Sequence, residues 1–397
     1  MTDFAATRAA FDLPEGVIYL DGNSLGVLPR GAAARVERTI RGEWGERLIR
    51  AWNDAGWMTQ PARVGDRMAR LIGASAGSVV VGDTLSIKVY QALAAALALR
   101  PGRRIVLSDS GNFPTDLYIA QGLLDTLGQG HELRVVAPEE VAGAITEEVA
   151  AMLLTEVDYR TGRLHDMAAL TRAAHDVGAL AIWDLAHSAG AIPVDVTRAD
   201  ADFAVGCTYK YLNGGPGAPA FIHVAPRHAG VARPALAGWM GHEAPFAFDA
   251  AYRPGAGIER MRVGTPPVIA LAALEAALDV WDMVDIRDVR AASLRLSERF
   301  IAEVEAQCPA LELASPRDGA RRGSQVSFRH PQAYPVMAAL IDRGVIGDVR
   351  APDILRFGFT PLYLSEEEVV RAAGVLAQIM REGTWREARF QRRQAVT

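Results

Sequence analysis

Lysine is nearly absent from this chain of 397 residues: of its 42 basic residues, only Lys88 and Lys210 are lysines. Arginine can supply charge at most positions, but its guanidinium stays protonated and is a poor nucleophile, whereas an amine can lose a proton and attack a carbonyl carbon. Lys210 is therefore a candidate Schiff-base lysine, placed between Tyr209 and Tyr211 and followed by a glycine-rich turn. A surface lysine left by chance is the competing interpretation. Lys88 is interpreted as a structural or surface charge.

Cysteine is also scarce, and a strong net charge and long apolar runs are missing. The two cysteines, Cys207 and Cys308, fit a reducing compartment and form no metal-type cluster. A net charge of -5 with scattered arginines gives no indication of a nucleic-acid partner. The most apolar helix-like run, QALAAALAL, is far shorter than the ~20 residues that span a bilayer, and the N-terminus has no secretory pattern. We therefore expect a cytoplasmic globular protein without metal or membrane contact.

Short apolar runs alternate with helical patterns through the middle of the chain. Near-continuous apolar strands are typical of a largely parallel sheet that is covered on both faces. The runs cover residues 78–83, 104–109, 133–137, 151–158, 179–187, 203–208 and 220–225. The sequence predicts an α/β fold around a mostly parallel seven-stranded sheet, with ligands at the C-terminal ends of the strands.

The pattern changes after about residue 265. A long helical region leads to a strand at 324–330, a helix at 335–344, a strand at 354–363 and an amphipathic helix that Ser365 caps. We expect a large domain over residues 51–265 and a smaller α/β domain formed by residues 1–50 and 266–397.

Asp184 and His187 lie at the end of the run AIWDLAH. A carboxylate in apolar surroundings needs a cationic partner, and the protonated pyridine nitrogen of pyridoxal phosphate is one. The alternative is that Asp184 caps a helix and that His187 is an ordinary loop residue. The candidate lysine 26 residues further on, after the next predicted strand, favours the cofactor.

Two further segments follow predicted strands. In GDTLSIKVY, Thr84 can cap a helix whose first N–H groups, with the Ser86 hydroxyl, form an anion site. A plain N-capped helix is the simpler alternative. In NFPTDLY, Phe113 can stack on a planar ring or belong to the core, and Asp116 can cap the next helix or act near the substrate.

Six segments together resemble the kynureninase family: YLDGNSLGVLPR, NFPTDLY, WDLAHSAGAIPVD, CTYKYLNGGPGAPAFIHV, GWMGH and ILRFGFTPLY. This family belongs to the fold-type-I pyridoxal-phosphate-dependent enzymes, and the resemblance covers nearly the whole chain. Thr208 replaces the more usual serine before Tyr209, and Met240 stands where an aromatic residue is common. Neither change touches the expected chemistry.

The resemblance implies a role for each matching residue. Lys210 would carry the cofactor as a Schiff base, Asp184 would pair with the pyridine nitrogen, and His187 would approach the phenolic oxygen. The phosphate contacts would be Leu85, Ser86 and Tyr209. The ring would be bordered by the stretch Phe113, Pro114, Thr115 and Asp116, with Phe113 on the ring face, and by Thr155. Trp239 and Thr265 would reach the cofactor from the neighbouring subunit of a homodimer. Arg356 would clamp the substrate's α-carboxylate with two parallel bonds.

The implied reaction is hydrolysis of L-kynurenine to anthranilate and L-alanine by cleavage of the Cβ–Cγ bond, in tryptophan catabolism through the kynurenine pathway, which also leads to NAD biosynthesis. Lys210 and Asp184 would be catalytic, with Tyr209 as a candidate proton carrier for the later steps. The alternatives are another fold-type-I enzyme, either a cysteine desulfurase or a class V aminotransferase, and a non-catalytic member of the fold. A desulfurase needs a mobile cysteine, which the settings of Cys207 and Cys308 do not favour. The joint presence of Lys210, Asp184 and Arg356 argues against a non-catalytic protein.

The resemblance also bears on the substrate ring. Animal members of the family, which favour 3-hydroxykynurenine, have His and Asn at the places of Trp52 and Thr265. An indole at position 52 would leave a ring hydroxyl without an acceptor, at a cost of ~1–3 kcal/mol. We therefore expect both residues to contact substrate and kynurenine to be preferred. The alternative is that Trp52 is core packing under the N-terminal segment.

Overall fold

A seven-stranded sheet forms the largest layer of the computed structural model, which describes residues 1–392. The strands of this described part, in chain order, are β1 Phe11–Asp12, β2 Ile18–Tyr19, β3 Leu28–Pro29, β4 Val79–Val81, β5 Ile105–Asp109, β6 Glu132–Val136, β7 Val149–Thr155, β8 Leu180–Asp184, β9 Phe203–Gly206, β10 Phe221–Val224, β11 Glu312–Leu313, β12 Gln325–Arg329, β13 Val345–Ile346, β14 Asp348–Arg350 and β15 Ile354–Gly358. The α-helices are α1 Phe4–Ala9, α2 Arg30–Arg38, α3 Ala51–Asp54, α4 Gln60–Leu71, α5 Leu85–Leu99, α6 Pro114–Leu127, α7 Val141–Ala144, α8 Met167–Asp176, α9 Pro226–Ala229, α10 Val268–Trp281, α11 Ile286–Gln307, α12 Ala333–Asp342 and α13 Glu366–Glu382.

The seven apolar runs form the large sheet, as the sequence predicts. Its order is β4-β10-β9-β8-β7-β5-β6, and β6, β5, β7, β8 and β9 are parallel. Strand β10 is antiparallel to both β9 and β4, so β4 has the same direction as the parallel strands. The carboxyl ends of β4, β5, β7, β8 and β9 therefore meet at one edge, which confirms the predicted α/β class.

Several strands end earlier than the sequence predicts, and β8 and β15 are the two whose ends bear on the site. β8 ends at Asp184 because its carboxylate accepts a bond from the Ala186 N–H and turns the chain. β15 ends at Gly358 rather than at Tyr363, because the chain turns back through a backbone bond from Tyr363 N to Thr360 O. Both turns lie beside residues that the site uses.

A second sheet has the order β11-β12-β15-β14, and helix α13 begins at Ser365 with the expected reciprocal cap to Glu368. The N-terminal strand β2 pairs with β13 from the C-terminal part. We propose the division into residues 51–265 and residues 1–50 with 266–397, and this pairing supports it; residues 393–397 lie outside the described part. Within residues 1–392 no helix is both long enough and apolar enough to cross a bilayer.

The loop between β2 and β3 is packed between the second sheet and the segment that carries Lys210. Gly26 N donates to Tyr209 O at 2.7 Å, and Gly358 N donates to Leu20 O at 2.6 Å. A Cβ at Gly26 would lie 2.4 Å from the Lys210 carbonyl oxygen, and one at Gly358 would lie 2.1 Å from Asn23 Oδ1. Glycine is required at both positions because backbone from two parts of the chain meets there.

Glu156, directly after β7, gives a testable pH dependence of stability. It is 6% exposed, and burial raises the pKa of its carboxyl from 4.5 to about 7. The folded state therefore binds more protons than the unfolded state between these two values, so stability falls as pH rises through this window. Glu156→Gln removes this loss, and we expect a gain of up to ~3 kcal/mol in the free energy of unfolding at pH 8 and little gain at pH 4.

Urea unfolding at the two pH values measures this difference. Glu148→Gln is the matched control, because Glu148 is exposed and directly precedes the same strand. Equal responses of the two variants at pH 8 would contradict the assigned burial cost.

Candidate active site

Lys210 lies in the loop after β9, at the carboxyl edge of the large sheet. Its Nζ is 2.9 Å from His187 Nε2, and His187 Nδ1 is 3.0 Å from Gln325 Oε1. Burial, together with the charge of Lys210 and of two nearby arginines, lowers the pKa of His187 well below its ordinary value. The imidazole is therefore neutral, donates from Nδ1 to the Gln325 oxygen and accepts from Lys210 at Nε2.

Two buried carboxyl groups lie near Lys210. Asp184 closes β8, and Asp116 lies in the first turn of α6. Burial raises the pKa of Asp184 to about 6, although Lys210 opposes this rise. Burial and the charge of Asp184 raise the pKa of Asp116 well above its ordinary value, and its Oδ2 has no partner among the described residues. The pair therefore needs a further cation, and the protonated ring nitrogen of pyridoxal phosphate fits this requirement.

Phe113 supplies an aromatic face beside the amine. Its ring is 39% exposed, and its centroid is 5.8 Å from Lys210 Nζ. Tyr159 packs edge-on against it, with centroids 5.1 Å apart. Pro114 and Thr115 open helix α6 behind Phe113. The Thr155 hydroxyl, at the end of β7, donates to Val157 O at 3.1 Å.

Helix α5 begins with Leu85 and Ser86 at the same edge of the sheet, which suits a phosphate. Thr84 occupies the cap position, but its hydroxyl makes no capping bond. Lys88 lies inside the helix and is buried, and its ammonium donates to Asp83 Oδ2, Gln91 Oε1 and Met261 O at 2.9, 2.9 and 3.2 Å. Of the two interpretations of Lys88, the structural one is therefore correct, because all three N–H donors are engaged.

Arg356 is buried on β15, close to the same pocket. Its Nε and Nη2 donate to the two oxygens of Asp348, and its Nη1 donates to Tyr159 O at 2.6 Å. Gln325 Nε2 donates to the same Tyr159 oxygen at 3.0 Å. One edge of the Arg356 guanidinium is thus already paired with Asp348. Hydrogen bonds through Tyr159 O and Gln325 connect Arg356 to His187 and Lys210.

The sequence did not point to several residues that the fold brings here: Asp21, Ser24, Gln325, Asp348 and Arg350. Ser24 lies in the motif GNSLG, and this motif was the available signal. Gln325 reaches His187 across 138 positions of sequence, and no local pattern marks such a contact.

Neither cysteine is placed as a mobile nucleophile. Cys207 is 3% exposed, and burial raises the pKa of its thiol. Cys308 is 1% exposed at the end of α11, and burial raises its pKa to about 11. Both thiols stay protonated and inaccessible, which disfavours desulfurase chemistry. Among residues 1–392 there is also no group of three or more His, Cys, Asp or Glu side chains that could hold a metal ion.

Trp52, Trp239 and Thr265 lie apart from this set. The rings of Trp52 and Trp239 meet edge-on at 6.4 Å, and Trp239 also meets Phe246 at 5.7 Å. Thr265 lines a small cavity with Asp83, near the start of α5. In the described part of the chain, no hydrogen bond or ring contact joins Trp52 or Trp239 to Lys210.

Comparisons with known proteins identify the family of the chain. Residues 289–376 match the family model of the kynureninase C-terminal domain. The kynureninase of Pseudomonas fluorescens is 53% identical over 99% of this chain and 96% of its own length. That of Burkholderia pseudomallei strain K96243 is 51% identical over the same shares.

Two solved structures show the same fold. The apo cysteine desulfurase of Thermococcus onnurineus has a TM-score of 0.81 at 20% identity, covering 95% of this chain and 98% of that one. The cysteine desulfurase CsdA of Escherichia coli has a TM-score of 0.79 at 19% identity, covering 96% and 99%. At these identities the likeness concerns the fold alone. The full-length matches at 51–53% identity show that the chain belongs to the kynureninase family.

Proposed function

We propose that this chain is a pyridoxal-phosphate-dependent enzyme that hydrolyses L-kynurenine to anthranilate and L-alanine. The observation that carries the proposal is the identity of 53% to a kynureninase over nearly the full length of both chains. The half-buried Lys210 and the buried His187, Asp184 and Asp116 support it, because together they can hold and use the cofactor.

The proposed cofactor site uses groups at the carboxyl edge of the sheet. Lys210 would hold the cofactor covalently, Asp184 would pair with its ring nitrogen with Asp116 nearby, and Phe113 would cover its ring. Leu85, Ser86 and Tyr209 would hold the phosphate, and Thr155 would border the ring. When bound, pyridoxal phosphate supplies an electron sink for negative charge at the substrate's Cα.

The residues of the chain then control protons and water. His187 orients the Lys210 amine through the 2.9 Å contact, and Gln325 fixes the tautomer that accepts this bond. The amine of Lys210 would act as the base that removes the proton at Cα. Water adds to the γ-carbonyl carbon and the Cβ–Cγ bond breaks, so that anthranilate leaves and the three-carbon part becomes L-alanine after protonation. Burial raises the pKa of Tyr209, so its hydroxyl stays protonated and can deliver a proton.

Arg356 is the proposed partner of the substrate's α-carboxylate. Because Asp348 takes the Nε edge of its guanidinium, the carboxylate would meet the Nη1 and Nη2 end, in place of the Ser24 Oγ that lies 2.8 Å from Nη2. A planar guanidinium can bind carboxylates on two edges at once, which makes this arrangement compatible with the pairing to Asp348.

Lys210→Arg tests the role of the amine. The substitution keeps the charge but removes the nucleophile, so we expect turnover of L-kynurenine to fall below detection while the fold is retained. Anthranilate fluorescence measures turnover, and far-UV circular dichroism measures the fold. The wild-type protein should show a visible absorption band from the covalently held cofactor, and the variant should not. Substantial hydrolysis by the folded variant would refute the assignment of Lys210.

We also propose that the enzyme is a cytoplasmic homodimer with shared active sites, in which Trp239 and Thr265 reach the partner's cofactor. Support comes from exposed apolar side chains: Trp44, Leu48, Ile49, Phe246 and Phe248 are 55–80% exposed. Trp44 also lines a cavity of about 690 Å³, together with other apolar residues that include Val36, Trp57 and Ile269. Patches of this kind mark protein interfaces.

Mixing two inactive variants tests the shared site. In a mixed dimer of Lys210→Arg and Trp239→Ala, one of the two sites would carry neither change, so random pairing should restore roughly a quarter of wild-type activity. The matched control pairs Lys210→Arg with Asp184→Asn, whose defects fall in sites formed by the same subunit, and it should restore nothing. No recovery in the first mixture, after exchange of subunits is verified, would contradict a site that contains the partner's Trp239.

The substrate ring gives a further test. If Trp52 contacts the aryl group, a ring hydroxyl loses hydration without gaining an acceptor, and kynurenine should be preferred over 3-hydroxykynurenine by roughly 5- to 150-fold in kcat/KM. Trp52→His should reduce this preference by restoring a polar partner. Trp57→His, on the neighbouring ring, is the control. Competition between the two substrates measures the ratio of their kcat/KM values. Equal use of both by the wild-type enzyme would mean that Trp52 does not set the preference.

A further inference from the structure

Four charged residues form one cluster beside the active site: Asp21, Asp348, Arg350 and Arg356. Ser24 lies at its centre, because its hydroxyl donates to Asp348 Oδ2 at 2.7 Å and accepts from Arg356 and Arg350 at 2.8 and 3.3 Å. Arg350 Nη2 is also 2.7 Å from Asp348 Oδ2. The cluster joins the N-terminal loop to strands β14 and β15, and we call it the carboxylate cluster.

Asp21 is the acid of this cluster that forms no ion pair among the described residues, although a hydrogen bond from Ser24 partly opposes the rise of its pKa. One of its oxygens, Oδ1, is buried and has no hydrogen-bond partner among the described residues. In contrast, both oxygens of Asp348 are bound by Arg356, and the arginines hold the pKa of Asp348 below its ordinary value despite burial. Asp348 is therefore the permanent anion of the cluster.

The other titratable groups that act on Asp21 come from each element packed around it. They are Tyr19 of β2, Tyr211 of the lysine loop, Tyr363 of the turn after β15, Asp348 and Arg350 of β14, and Arg356 of β15. Burial raises the pKa of all three tyrosines, so they stay neutral. The charge of the cluster is thus set by two arginines and two aspartates.

The charges of the cluster limit how a substrate carboxylate can bind. With both aspartates ionised, the two arginines are neutralised, and a substrate carboxylate would be a third anion for two cations. An unbalanced charge in a largely buried site is costly, and proteins usually avoid it by changing the protonation of a neighbouring group. Asp21 is the group that can change, because Asp348 is held by Arg356 on both oxygens.

We propose that Asp21 is a positioning residue that takes up one proton from solvent when the substrate's α-carboxylate binds at Arg356. The inference rests on the proposed function, since it assumes that a carboxylate substrate binds here. Proton uptake removes the second negative charge of the cluster and leaves one positive charge for the ligand. No other bond forms or breaks in this step. Asp21 thereby couples affinity for amino acids to pH.

The pKa of Asp21 lies in the pH range in which proton uptake on binding would change the affinity for substrate. Burial and the charge of Asp348 raise its pKa to about 7, although Arg356 opposes the rise. A bound carboxylate adds negative charge and raises the pKa of Asp21 further. By linkage, affinity is highest below pH 7, where the proton is already present, and falls as pH rises above 7 until the higher pKa of the complex is reached.

The first test is the KM for L-kynurenine between pH 6 and pH 9, measured on the holoenzyme. For the wild type we expect an increase of about tenfold between pH 7 and pH 8.5, since the protonated fraction changes up to tenfold per pH unit. Asp21→Asn imitates the protonated acid and should abolish this increase. Glu15→Gln is the matched control, because Glu15 is exposed on the same N-terminal segment and should leave the increase intact. An unchanged increase in a folded Asp21→Asn protein overturns the proposal.

The second test measures the proton directly. Calorimetry of L-alanine binding to the holoenzyme at pH 7.5, in two buffers of different ionisation enthalpy, gives the net protons taken up. The wild type should take up about half a proton or more beyond Asp21→Asn, because its Asp21 is mostly ionised before binding. An equal uptake by both proteins overturns the proposal even if both hydrolyse kynurenine.

A third measurement keeps the proposal testable if Asp21→Asn does not fold. The pH dependence of wild-type affinity should differ between L-kynurenine and its decarboxylated amine, with the increase above pH 7 confined to the carboxylate, and equal profiles overturn the proposal. A wild-type holoenzyme that neither binds nor hydrolyses L-kynurenine would instead refute the proposed function. The two failures are therefore distinct.

Discussion

The burial of two carboxyl groups beside the Lys210 amine is the constraint around which the rest of the molecule is arranged. Asp184 and Asp116 have raised pKa values because they are out of water, and Lys210 is the cation that partly offsets their charge. These three side chains keep their positions only if the surrounding structure holds them in place. The parallel sheet does this, since the carboxyl ends of its strands converge and leave polar side chains at one edge of an apolar layer.

A chain of hydrogen bonds extends this site toward the second sheet. Lys210 contacts His187, His187 contacts Gln325, and Gln325 shares the Tyr159 carbonyl oxygen with Arg356. The proposed position of the substrate's reactive carbon and the proposed position of its carboxylate are thereby held by one network. A shift of β12 or β15 would move both together, which is the physical basis for assigning a binding role to the second sheet.

The N-terminal loop between β2 and β3 also links distant parts of the site, although it is short. Gly26 lets its backbone bond to the lysine loop, and Ser24 connects Asp348 to both arginines. Asp21 enters the carboxylate cluster from the same loop. Motifs that lie hundreds of positions apart in the sequence therefore meet at one charged site, and the loop's glycines are needed because the segments pass within contact distance.

The sequence by itself determined the α/β class, the seven strands of the sheet and the prominence of Lys210, because apolar runs and the replacement of lysine by arginine are local or compositional features. It also marked Asp184, which lies near the end of a predicted strand, and Phe113, which lies in the segment after another. The pairing of Arg356 with Asp348, the contact of His187 with Gln325 and the entry of Asp21 into the cluster were decided by tertiary structure. A bond between distant segments leaves no periodicity in the sequence, and the charge state of a buried acid depends on neighbours that only folding brings together.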